Sequence, residues 1–488
     1  GSATGGNIGL ILSSGTHSWS TVDADVSATA GSAGDGGRFG GVTPGATGID
    51  IDVGGTGSLV NSGGVSLYAD AAGAGGLASG ATLRGGRIAV AAHDGGSLSI
   101  AQSLYATANA RGYSGDSLAL PAPGTPDAVG GTISIGAAGG SFSAADLSVY
   151  ANGSAGDAPG AAGNGTGGNI TLSASMSGGQ RGSFSLDCTS FFCEASANGD
   201  GGYGLNGGNG TGGTILLYAA DADFSALGDL QMPAEGHGGG TAYDGLPGRG
   251  GDGLGGSVTV ESRAGTGVMT FGNLSLSASG TSVPSIEGIS FNDGDGGNGT
   301  RGTVNLNVLG GSLTAGMVDV QAAGFGGASA MNCPSPICEG GGRTPFHAGN
   351  GLGGTAGFLI SGGTATIGTL TIGASGSGGA ADGMDVAPSA AALAGTGQGG
   401  TARMESRGGD LQITTLDIDA SGFGGEGMAY YAPNGANGGT GTGGNAGLLM
   451  TAGSSGQGRV DGGVTVQALG NGGKGGQNGF QDQGPYNA

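Results

Sequence analysis

A chain of 488 residues with 126 glycines, only 10% charged and 5% aromatic residues is not composed like a set of ordinary globular domains. Thirty-five acids against 13 bases, with Lys474 as the single lysine, give a formal charge of −22, so the chain has no basic footprint for nucleic acid or an anionic membrane. The 36% of apolar residues cluster in alternating runs, which argues for order, and glycine without an every-third-residue register excludes collagen.

No stretch approaches the length of a membrane-spanning apolar helix, so no membrane insertion is expected. The first residues lack a charged segment followed by an apolar one, so a signal peptide has been removed or the chain is an excerpt of a longer one.

In chain order, a glycine-to-aliphatic junction recurs. It is clearest at Gly207–Ala219 and returns at Gly163–Leu172, Gly251–Val260, Gly297–Leu306, Gly349–Ile360, Gly395–Met404 and Gly439–Met450. Taking the residue before the first strand as marker, units begin at Gly6, Gly48, Gly86, Gly131, Gly168, Gly213, Gly256, Gly302, Gly354, Gly400 and Gly444, about 44 residues apart, as in solenoid repeats. The first two units are degenerate.

Each unit alternates apolar and polar residues, as in Thr132-Ile133-Ser134-Ile135, which predicts a half-buried strand. A glycine turn follows, as at Gly95-Gly96, Gly139-Gly140, Gly310-Gly311 and Gly408-Gly409. Then come a second run, Ser141–Ala144, and a third, Leu147–Ala151. Three short strands per unit predict one rung of an all-β parallel β-helix with about eleven rungs, in which equivalent residues stack about 4.8 Å apart. Residues 1–470 read as one array and 471–488 as a polar tail.

Between units lie glycine-rich segments such as Gly153–Gly168, Gly199–Gly213, Gly236–Gly256 and Gly324–Gly354. Their recurrence suggests that they stack too, as polyproline-II-like or polyglycine-II-like segments in which a Cβ would block close backbone approach.

The form G-G-x-I-x-L-x-A followed by G-S-L-x-x-G-x-L-x-L-x-A-x-G, as in Gly302–Gly324 and Gly354–Gly376, resembles the haemagglutinin-type β-helical repeats of large secreted bacterial adhesins. These are autotransporter passengers and two-partner-secretion exoproteins. The resemblance implies a right-handed parallel β-helix exported to the surface of a Gram-negative cell. The glycine-rich insertions are longer than that family's usual loops.

Cys188/Cys193 and Cys333/Cys338 read as two local disulfides of an extracellular chain. His17, His93, His237 and His347 show no ligand spacing, so no metal or cofactor is expected. The one weak cation candidate is Asn292–Gly296, where Asp293 and Asp295 could hold a Ca²⁺, although the EF-hand's closing glutamate is missing.

Asp50/Asp52 and Asp417/Asp419 place paired carboxylates on one strand face, a pattern shared by polysaccharide-cleaving β-helices and by solvated strands. Sequons occur at Asn152, Asn164, Asn209, Asn273 and Asn298, and Asn-Gly is also ordinary turn chemistry. Trp19, Phe191, Phe192, Phe346, Tyr430 and Tyr431 are scattered aromatics that could serve as recognition spots.

The expectation is a non-enzymatic extracellular rod, forming or belonging to a bacterial surface filament or giant adhesin. It would self-associate or continue into further repeats, and could contact host or surface glycans. A glycan- or ice-binding solenoid and a β-helical polysaccharide lyase or hydrolase are the alternatives.

Overall fold

The computed structural model describes residues 6–29, 48–73, 82–112, 126–241, 248–263, 265–282, 294–329, 347–382, 392–428, 436–451 and 456–475. Among them there is no helix, and the strands stack in parallel from rung to rung. The fold is a parallel β-solenoid. One 24-stranded sheet wraps the aliphatic compartment, and an eleven-stranded and a nine-stranded sheet form a glycine-rich arm beside it.

The fourth rung shows the path. Its opening strand, Thr132–Ala138, turns through Gly139, whose φ of +67° lies in the left-handed region that glycine enters without Cβ strain. The chain continues as Ser141–Tyr150, leaves the compartment through Gly153-Ser154, and returns through Gly165-Thr166 to the next opening strand, Asn169–Ser175.

The expected second and third runs are here one bent strand. Its pairing with the rung before slips between Ala144 and Asp146, so the bend is taken up without losing the ladder. They stay separate in the fifth rung, as Ser183–Leu186 and Cys193–Ser196, because a disulfide-closed loop replaces the bend.

Two unit limits shift. Ile49 pairs with Ile88, which sets Gly48 opposite Arg87, so Gly48 occupies the first strand position and not the corner before it. At the other end, Gly470-Asn471 pairs with Gly422-Phe423, and the Lys474 carbonyl accepts a bond from Gly427 N–H, so residues 471–474 belong to the stack.

Alternation explains the core. Ile49, Ile88, Ile133, Ile170, Ile215, Val258 and Val304 occupy one register position on successive rungs and are at most 1% exposed. Each such side chain contributes about 1.5–3 kcal/mol when fully buried. A neighbouring column is aromatic: Phe142, Phe184 and Phe224 occupy one register position on successive rungs with centroid separations of 4.5 and 4.7 Å, and Phe271, two residues beyond that position on the next rung, lies tilted 5.9 Å from Phe224. Outside, Tyr68, Tyr105 and Tyr150 form a second ladder with separations of 5.8 and 5.9 Å.

Phe184 has a ring on either side and is 1% exposed, so its removal leaves a cavity that the flanking rungs cannot close. Phe184→Ala is expected to destabilise the rod by about 3–5 kcal/mol, read as a lowered denaturant midpoint, whereas Phe191→Ala, at an exposed site, leaves it unchanged.

Candidate functional site

The recurring structural feature is physical in kind: the glycine arm and its junction with the aliphatic compartment. In most units the chain leaves the compartment at an alanine and re-enters at a pair of glycines, where one hydrogen bond closes the excursion. Gly168 N–H donates to the Ala151 carbonyl at 2.6 Å, Gly213 to Ala197 at 2.6 Å, Gly256 to Ala234 at 2.8 Å, and Gly400 to Ala374 at 2.6 Å.

The glycine requirement at this corner has a cause other than φ. Gly212 and Gly213 are absent from the positive-φ glycines. A Cβ on Gly213 would instead overlap the Gly168 carbonyl oxygen and lie 2.6 Å from the Gly167 carbonyl carbon, closer than side chains approach backbone.

Within the arm, outgoing and returning segments form two layers. A Cβ on Gly153 would overlap the Thr166 carbonyl and lie 2.6 Å from that of Ala128. Along the axis, Gly153 N–H bonds to the Asn198 carbonyl and Gly165 N–H to that of Asn209, both at 2.9 Å. Across the layers a zigzag runs upward: Gly349 N–H to Gly327 at 2.8 Å, Gly379 to Gly349, Gly395 to Gly379, Gly425 to Gly395 and Gly439 to Gly425, each at 2.9 Å, and Gly473 to Gly439 at 2.8 Å. A pleated strand bonds in one plane only. These segments bond in two directions, so they stack in the polyglycine-like manner expected.

The arm leaves alternate N–H groups pointing outward, and side chains cap them. On the returning layer each residue's Oδ1 accepts the backbone N–H of its counterpart one rung on: Asp127 from Asn164 at 2.8 Å, Asn164 from Asn209 at 2.9 Å, Asn209 from Asp252 at 2.8 Å, Asp252 from Asn298 at 2.7 Å, Asn298 from Asn350 at 2.9 Å, and Asn350 from Thr396 at 2.8 Å. The outgoing layer repeats the device through Asp70, Asn109, Asn152, Asn198 and Glu235. Each bond is worth about 1 kcal/mol. The sequons at Asn152, Asn164, Asn209 and Asn298 are thus ladder members. Sequence reasoning missed the ladders, although the polar residue recurring before the glycine of each G-T-G-G segment was their visible sign.

Along the corner where the returning layer passes into the opening strands lies a groove of about 300 Å³, lined by Gly353, Gly354, Gly399, Gly400, Gly443 and Gly444 with Thr355, Thr401, Asn445 and Gln398 beside them and Arg301 at one end.

The other sequence candidates scatter. Asp50 pairs with Arg87 at 2.7 Å and Asp52 with His93 at 2.7 Å, while Asp417 and Asp419 lie on the tenth rung, so the two carboxylate pairs do not form one site. Asp295 accepts His347 N–H at 2.7 Å, a capping role, and Asp293 lies outside the described residues. Among the described residues no group of three or more His, Cys, Asp or Glu side chains is arranged to hold a metal ion. Cys188 and Cys193 form a disulfide; Cys333 and Cys338 lie outside the described residues, as do Phe346, Tyr430 and Tyr431. Phe191 and Phe192 stand exposed on the disulfide loop, and Trp19 packs against the core of the first rung.

No family model, no curated protein and no solved structure matches the chain.

A cluster missed at the sequence level joins two rungs. His237 Nδ1 lies 2.8 Å from Asp200 and Nε2 3.3 Å from Glu235. The Asp200 bond first, then that to Glu235, pushes His237 up to about 9, and the His237 bond holds Glu235 below the usual carboxylate range.

Two tests follow from this geometry. Because the corner excludes any Cβ, Gly213→Ala should already destabilise the rod by about 1–3 kcal/mol or more, and Gly213→Val should prevent its assembly, both read by denaturant midpoint and electron microscopy. His237 has a folded pKa above the unfolded 6.5, so its contribution is complete below pH 6.5 and is lost as pH rises through about 9. The difference in midpoint between wild type and His237→Gln should therefore shrink across that window.

Proposed function

We propose that the chain is a non-enzymatic extracellular structural rod that forms, or belongs to, a bacterial surface filament or giant adhesin of the haemagglutinin-repeat kind. The observation that carries this reading is axial continuity. Aliphatic columns, glycine zigzag and side-chain ladders all run in one direction from rung to rung, so load along the axis passes through backbone hydrogen bonds in both compartments.

The terminal described rungs support association by the same stacking. Ile8 at one end, and Leu448, Met450, Val464 and Val466 at the other, continue buried columns yet are exposed, since among the described residues a neighbouring rung covers them on one side alone. Such edges are templates for a further rung, supplied by continuing repeats or a second copy. The Cys188–Cys193 disulfide fits an oxidising, extracellular setting.

A second reading, recognition of glycans along a repetitive face, is favoured by the glycine-lined groove, along which Thr355, Thr401 and Asn445 repeat one polar position rung by rung.

Electron microscopy of the purified chain separates the two. A structural fibre gives long unbranched filaments, whereas discrete rods about 50 Å long, eleven rungs at the β-sheet spacing, together with retention on a polysaccharide column, would favour recognition.

A further inference from the structure

The ladders bear on a chemistry that threatens any long-lived chain of this composition. At an Asn-Gly junction the glycine nitrogen attacks the asparagine side-chain carbonyl carbon, ammonia leaves, and the resulting succinimide takes up water to give aspartate or isoaspartate. Glycine makes this step fast because no Cβ hinders the approach of its nitrogen.

Six junctions, at Asn152, Asn164, Asn198, Asn209, Asn298 and Asn350, are held at both reacting ends. The following glycine's N–H donates to a carbonyl of the next rung at 2.9–3.0 Å, and the asparagine Oδ1 accepts a ladder bond from that rung. Nucleophile and electrophile are both tied to the neighbouring rung, so neither can rotate toward the other without breaking the stack. At Asn206 the glycine alone is held, by the Arg249 carbonyl at 2.9 Å.

Asn437–Gly438 and Asn471–Gly472 differ. Neither glycine N–H has a partner among the described residues, and neither asparagine side chain joins a ladder. Exposure does not make this distinction, because Asn164, Asn209 and Asn350 are as exposed in class as Asn437 and Asn471; the bonds do.

We propose that, among the described Asn-Gly junctions, Asn437 and Asn471 are the ones that deamidate in the folded protein, while the ladder keeps the six doubly held junctions chemically inert. At Asn437 an isoaspartate would add a backbone atom two residues before Gly439, whose N–H is a step of the zigzag.

The test is incubation of the full folded chain at mildly alkaline pH, beside the same chain in denaturant. Site-resolved fragment-ion mass spectrometry then follows mass gain and isoaspartate at each junction, with Asn434 and Asn478, which lie outside the described residues, scored separately. Denatured chain should convert at every junction. Folded chain should convert at Asn437 and Asn471 and, at the six held junctions, at least about tenfold more slowly, the factor given by a local opening cost of about 1.4 kcal/mol. Conversion of the six at the rate of Asn437 and Asn471 would overturn the proposal, as would survival of Asn437 and Asn471 alongside them.

Discussion

The architecture depends on two backbone layers approaching more closely than any side chain permits. An aliphatic core separates its walls by the width of interdigitated side chains, and its stability comes from apolar area removed from water. The glycine arm has almost no side chains to bury. Its layers meet carbonyl against Cα, as at Gly153 and Thr166 or Gly213 and Gly168, and their stability comes from hydrogen bonds made along the axis and across the gap. The ordering entropy of glycine is the largest of any residue, which is why these segments hold only as part of a stack: most of a layer's donors are satisfied by the rung beside it, and in most units an Ala–Gly bond ties the excursion to the compartment that gives it a fixed register.

That constraint explains the division of labour along a unit. Turn glycines such as Gly95, Gly139, Gly311 and Gly409 are there for positive φ, whereas corner glycines such as Gly168, Gly213 and Gly400 are there because a carbonyl oxygen occupies the place of their Cβ. One residue type answers two different demands, and composition does not tell them apart.

Much of the compartment was legible because alternation carries its own phase: Ile133, Ile170 and Ile215 declare which face is buried, and the structure pairs them in register. Phase fails where the pattern thins, which is why Gly48 sits one position from its expected place and why the bend near Ala145 reads as a break between strands when pairing continues through it. Stacking of the glycine segments was legible from their recurrence, but not its means. A bond from Asn209 N–H to Asn164 spans 45 residues of sequence, and locally Asn-Gly looks like a turn or a sequon. His237 was invisible for the same reason, since Asp200 belongs to the preceding rung.

The ladders also place the chain's negative charge. An aspartate and an asparagine supply the same acceptor oxygen to the next rung, so capping geometry alone would accept an unbroken column of aspartates. Two unit charges about 4 Å apart repel by about 1 kcal/mol in water and by several times that near a protein surface, and successive rungs lie about 4.8 Å apart. In the returning ladder Asp127 and Asp252 are separated by Asn164 and Asn209, which puts three rungs, about 14 Å, between charges, beyond the screening length of about 8 Å at physiological ionic strength. Asp252 is further paired with Arg249 at 2.7 Å. In the outgoing ladder the acids Asp70 and Glu235 stand at the two ends with Asn109, Asn152 and Asn198 between them. Asparagine is therefore used in the ladders where stacking demands an acceptor and a charged neighbour would repel, and the acids of each ladder are spread along the rod at intervals the stack can tolerate.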